Sequence, residues 1–159
     1  VFAFRGTDEP LDVLRDLRIL PWWMPELGWV PAGFGKAARR LLPKCLSVCM
    51  ENDIDPDTII LTGHSLGGAV ALIVGALMVR DEIVPQQIVT FGAPRCGRLK
   101  LLDGIPVTCY RHGKDIVPLV PPLMRRHKPL EQKGIKASFI RDHYVHNYIE
   151  MDKIEEVES

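Results

Sequence analysis

Ser65 stands in Gly63-His64-Ser65-Leu66-Gly67-Gly68, between Thr58-Ile59-Ile60-Leu61-Thr62 and a run rich in small apolar residues at 69–80. A hydroxyl is a weak nucleophile until it is fixed beside a base. Gly-x-Ser-x-Gly between a strand and a helix supplies the fixing: the Ser projects from a tight, strained turn. Glycines two residues to either side let strand and helix approach closely. The helix that follows aims its free N–H groups and positive dipole end at the same point, which suits a developing anion. The Leu66 N–H is then the natural donor to an oxyanion. A phosphate-cradling loop is the competing reading, but it would want wider glycine spacing and a Lys. His64 is adjacent to Ser65, so its ring points elsewhere in such a turn, as a supporting hydrogen-bonder and not as the base.

The base needs a third group to orient it, and on a strand–turn–helix of this kind the chain order is Ser, acid, His. Asp115 fits the acid, because it follows the strand expected at 107–110 by the short turn Arg111-His112-Gly113-Lys114. Asp103 is the fallback but precedes that strand, at its wrong end. Of the five histidines, His112, His127, His143 and His146 follow Ser65. His112 is too near Asp115, and His127 lies in Arg125-Arg126-His127-Lys128, which reads as a solvated loop face. His143 and His146 both remain as the base on these grounds. Thr7 follows a strand end and a Gly, so its N–H is a candidate second oxyanion donor; the same Thr can instead cap a helix starting near Pro10.

These residues need a scaffold. Residues 1–4 are strongly apolar, as a buried central strand would be. Leucines at 11, 14, 17 and 20 keep a helical period closed by Pro21. Residues 22–29, with all three tryptophans among breakers, read as a loop, and 34–51 as a long helix that Pro43 must kink or interrupt. Strands are expected at 58–62, 87–91 and 107–110, an apolar helix at 69–80, an irregular Pro-rich loop at 118–129 and a last short helix at 144–150. This alternation implies a mostly parallel sheet flanked by helices in a single domain over 1–159.

Composition removes other classes. Twenty acids balance twenty bases, without the basic excess of a nucleic-acid binder. There is no apolar run long enough to span a membrane and no leader resembling a signal peptide, so a soluble chain of unspecified compartment is expected. The start without Met suggests a fragment or a trimmed chain. Cys45, Cys49, Cys96 and Cys109 lack metal-ligand spacing and read as buried, reduced thiols. No metal or organic cofactor is expected.

Phe4-Arg5-Gly6-Thr7 and Gly63-His64-Ser65-Leu66-Gly67-Gly68-Ala69 together resemble the class 3 lipases, the family of the filamentous-fungal triacylglycerol lipases, with the short bacterial and phage-type members looking closest. Ala32-Gly33-Phe34, Thr90-Phe91-Gly92-Ala93-Pro94-Arg95, Asp115-Ile116-Val117-Pro118, Pro121-Pro122, Asp142-His143 and Tyr148 follow in the family's order. Pro31 stands where the family usually has His, and the strands that precede Phe-Arg-Gly-Thr in the family are missing. The resemblance implies an α/β-hydrolase fold, small or N-terminally truncated, and a triad of Ser65, Asp115 and His143. It adds the Thr7 hydroxyl to the oxyanion site and places Trp22, Trp23 and Met24 where the family carries a lid; the competing reading of that segment is a static loop with its tryptophans packed on the core. It implies an ester or lipid substrate, met transiently at a lipid or membrane interface. A phospholipase or feruloyl-type esterase on the same triad, or a non-catalytic lipid- or partner-binding relic, are the alternatives.

Overall fold

The computed structural model describes residues 1–6, 20–133 and 143–149, with the side chains of Asn147 and Ile149 excepted. Thr7, the helix expected over 11–20 apart from Leu20, Asp142 and the acidic tail lie outside these residues. Five strands form one parallel sheet: β1 (Phe2–Phe4), β4 (Ile60–His64), β5 (Gln87–Phe91), β6 (Val107–His112) and β7 (Glu131–Lys133), in the order β1-β4-β5-β6-β7. β2 (Pro21–Met24) and β3 (Gly28–Pro31) form a separate antiparallel hairpin. Among the described residues the α-helices are α1 (Ala32–Glu51), α2 (Leu66–Arg80) and α3 (Val145–Ile149).

α2 shows why the sheet and helices hold together. Every residue from Gly67 to Met78 is buried, as expected of a helix that is apolar all round. It packs against β1, β4 and β5 on one side and α1 on the other. α1 is one-sided instead: Phe34, Ala38, Leu42, Cys45 and Cys49 are its buried stripe, spaced by three and four residues as an amphipathic helix requires. Cys45 and Cys49 thus share one face, and all four cysteines are buried and free.

Four expectations change. α1 runs through Pro43 without interruption. Pro43 and Arg39 are both on the exposed side, so the carbonyl that loses its N–H partner faces water. β1 is the edge strand of the described sheet rather than a central one, with Ala3 exposed and only Phe2 and Phe4 against the core; an apolar run does not encode its place in the order. The loop expected at 22–29 is the β2–β3 hairpin, and Trp23 faces Trp29 across it at 5.5 Å. Pro21 and Pro31, which look like breakers, pair with each other at its open end, where a missing donor is tolerated. Finally, the basic run is not solvated throughout: Arg125 is exposed, but His127 is buried, and Arg98 donates to its Nδ1 at 3.0 Å.

Candidate active site

β4 ends at His64 and α2 begins at Leu66, so a single residue makes the turn. That residue, Ser65, has φ 55° and ψ −129°, a left-handed φ that a non-glycine residue holds only when its surroundings impose it. The surroundings are backbone hydrogen bonds. Ser65 N–H donates to the Phe91 carbonyl at 2.9 Å, continuing the β4–β5 ladder, and its own carbonyl accepts from Gly68 N–H at 3.0 Å. The flanking glycines are needed for contact: a Cβ on Gly67 would overlap the Phe4 carbonyl of β1, and one on Gly63 would overlap the Gly67 backbone. The turn expected from Gly-x-Ser-x-Gly is therefore held by main chain on three sides.

Ser65 Oγ lies 2.9 Å from His143 Nε2, and His143 Nδ1 lies 2.7 Å from Asp115 Oδ2; all three residues are buried. An ionised carboxylate only accepts. His143 therefore carries its proton on Nδ1 and offers Nε2 as acceptor to the Ser65 hydroxyl. Asp115 is fixed from several directions. Its Oδ1 accepts from Val117 N–H at 2.9 Å, its N–H donates to the His112 carbonyl at 3.0 Å, and Tyr148 Oη donates to its Oδ2 at 2.5 Å. The Tyr148 phenol, which in turn accepts from His112 N–H at 3.1 Å, has its pKa raised, by burial first and then by the Asp115 charge. It stays a neutral donor.

His64 does more than adjoin the serine. Its Nε2 lies 2.6 Å from the carbonyl of His143, and since a carbonyl only accepts, the His64 proton is on Nε2. Burial, with the neighbouring His143 ring a smaller cause, pushes the His64 pKa down to about 4, so this donor is uncharged above that pH.

Of the residues singled out from sequence, Ser65, Asp115 and His143 come together. His146 is exposed and stacks on Tyr144 at 5.9 Å, while Asp103 pairs at the surface with Arg98 at 2.5 Å. Thr7 is outside the described residues, and Leu66 opens α2. Trp22, Trp23 and Met24 lie in β2. Met24 and, in β3, Val30 are wholly buried, and Arg39 of α1 lies 5.0 Å over the Trp22 ring. Swinging this segment as a lid would pull Met24 and Val30 from the core, at about 1.5–3 kcal/mol for each. Two contributors had no assigned role in the sequence reading, Tyr148 and Gly92. Gly92 has φ 61°, and a Cβ there would come within 3.0 Å of Asp115 Oδ2, Tyr148 Oη and His143 Cε1. The Phe-Gly-Ala-Pro string carried the signal for Gly92, but not its reason. Among the described residues no group of three metal-binding side chains occurs.

A parallel sheet flanked by helices, with a serine at a strand-to-helix turn, defines an α/β-hydrolase fold. The sequence model of the family described as Lipase (class 3) matches residues 1–125, and the chain belongs to that family. It is 34% identical over 133 residues to a lipase of Rhizopus niveus, covering 76% of this chain and 34% of that protein. Among solved structures, the lipase of Rhizopus microsporus var. chinensis matches with TM-score 0.69 and 29% identity, covering 84% of this chain and 52% of the other. The triacylglyceride lipase of Rhizomucor miehei matches with TM-score 0.69 and 26% identity, covering 84% and 56%. These relatives are fungal and lend no support to a short bacterial or phage-type membership. The chain spans about a third of the length of the curated relatives it matches.

Proposed function

We propose that this chain is a serine-dependent carboxylic ester hydrolase acting on lipid esters, within one α/β-hydrolase domain. The observation that carries the reading is the unbroken line of hydrogen bonds Asp115–His143–Ser65, at 2.7 and 2.9 Å, with all three groups buried. Ser65 Oγ attacks the ester carbonyl carbon while its proton passes to His143 Nε2. Asp115 keeps the other proton on Nδ1 and stabilises the imidazolium that results. The carbonyl oxygen becomes an oxyanion, which accepts from the Leu66 N–H at the start of α2, a helix end whose first N–H groups have no partner within the helix. Thr7 is the second donor proposed for it. His143 then gives its proton to the departing alcohol, and water, deprotonated by the same imidazole, releases the acid and restores Ser65.

The lipid nature of the ester is supported by family membership and by a relative named as a triacylglyceride lipase. Such a substrate would be met at a lipid interface. No described helix is long and apolar enough to cross a membrane. A non-catalytic relic of the fold has no need of a base aligned on a serine hydroxyl, which favours the enzyme. The test is labelling by a fluorophosphonate. Labelling of the native chain but not of Ser65→Ala supports the reading, and a folded native chain that takes no label sinks it. Rates on triacylglycerol, phospholipid and feruloyl esters then rank the substrate classes.

A further inference from the structure

Away from the Ser65 cluster, the β2–β3 hairpin faces two loops across a cleft of about 760 Å3, within the ~300–1,000 Å3 usual for small-ligand sites. Its walls are Trp23, Leu27, Trp29, Leu101, Leu123 and Met124. None of Ser65, Asp115 or His143 lines it. Several walls are unusually wet for their type: Trp23 is 53% exposed, Trp29 58% and Leu123 94%. A cluster of this kind at a concave surface marks a place where apolar matter docks.

The charges at the cleft indicate what kind. Glu26 is the acid among the lining residues, and it is already held by Arg39 at 3.0 Å and Arg80 at 3.3 Å. Arg98 is forked onto Asp103. Lys100 and Arg125, both exposed, line the same cleft and are its cations without a carboxylate partner among the described residues. The cleft thus joins an apolar trough to two positive charges at its edge.

We propose that this cleft is a second lipid site, holding one long-chain fatty carboxylate with its chain between Trp23, Trp29, Leu101 and Leu123 and its head group at Lys100 and Arg125. An uncharged ester would leave both cations without a counter-charge, and a single chain suits a trough of this volume better than a flat bilayer does. The site does not depend on ester hydrolysis.

The hairpin holds all three tryptophans of the chain, so intrinsic fluorescence reports on this cleft. The probe is monomeric 9,10-dibromostearate, whose bromines quench nearby indoles, titrated into the full Ser65→Ala chain, which cannot turn over. Saturable quenching is expected, with affinity at least tenfold lower in Lys100→Glu/Arg125→Glu and at least tenfold lower for the dibrominated alcohol of the same length. Near-ultraviolet circular dichroism checks that the double variant is folded. If it is not, the acid–alcohol comparison on the unaltered surface decides. Absence of saturable quenching, equal affinity for acid and alcohol, or an unchanged affinity in the folded double variant overturns the proposal. Quenching only by vesicles of brominated phospholipid also overturns it, and makes the cleft a membrane-docking face instead. Because Ser65→Ala is used throughout, failure here leaves the hydrolase reading untouched, and failure of fluorophosphonate labelling leaves this one untouched.

Discussion

The turn that carries Ser65 and the segment that carries His143 meet at one hydrogen bond, yet they are built by opposite means. The turn is local and made of main chain: consecutive residues, two glycines in van der Waals contact with neighbouring backbone, and a φ held by the sheet ladder. The His143 segment lies 78 residues further along and is secured by side chains: Asp115 to its Nδ1, His64 to its carbonyl, and Tyr148 to the same Asp115. Main-chain packing tolerates no added atom, whereas a set of polar tethers can lose one member and weaken by degrees.

The largest expected effect comes from removing the joint itself. His143→Ala should lower ester turnover by on the order of 10^4-fold, since the serine loses its base; substrate binding should change little, and steady-state kinetics on a soluble ester reads both. Next is Gly67→Ala, which forces a methyl into the Phe4 carbonyl. Overpacking against backbone costs about 3 kcal/mol or more, so the midpoint of denaturant unfolding should fall sharply or the chain fail to fold. A fully stable Gly67→Ala chain would contradict the tightness claimed for the turn.

Tethers should fail more gently. Tyr148→Phe removes the phenol that holds Asp115 and leaves His112 N–H without its acceptor. A loss of about tenfold in kcat is expected, from a hydrogen bond to a charged group, with KM nearly unchanged. His64 gives a pH signature. Its folded pKa of about 4 lies below its ordinary 6.5, so below 6.5 the unfolded chain gains a proton that the folded one refuses. Stability should therefore fall as pH drops from 6.5 towards 4 and level off beneath it, by roughly 2–3 kcal/mol from this group. His64→Gln, which keeps a donor but does not titrate, should flatten that part of the acid profile in urea titrations. The smallest effect is predicted for His146→Ala, within about twofold of native turnover, because an exposed ring outside the hydrogen-bonded line contributes little. A large loss there would reassign the base.

The same contrast explains what could be read without coordinates. The Ser65 turn was legible because its requirement for glycine arises within a few consecutive residues, and β5 was legible because Gln87–Phe91 is β-prone from end to end. The choice between His143 and His146 was not open to spacing alone, since it depends on which ring the chain folds back towards Asp115. Gly92 could be seen as part of a string but not as the bare α-carbon against which the acid, the phenol and the imidazole rest. The hairpin was hidden by its prolines, which read locally as breakers and only in the paired strand become harmless. His127 looked solvated because its neighbours in sequence are charged, whereas its neighbours in space bury it.

His64 is joined to Ser65 by a peptide bond and to the main chain of His143 by a hydrogen bond of 2.6 Å. The two reacting residues thus share one tether: the ring next to the serine in sequence anchors the main chain that carries the imidazole. It bears on a gap in which a misplacement of about 1 Å can cost 10²-fold in rate.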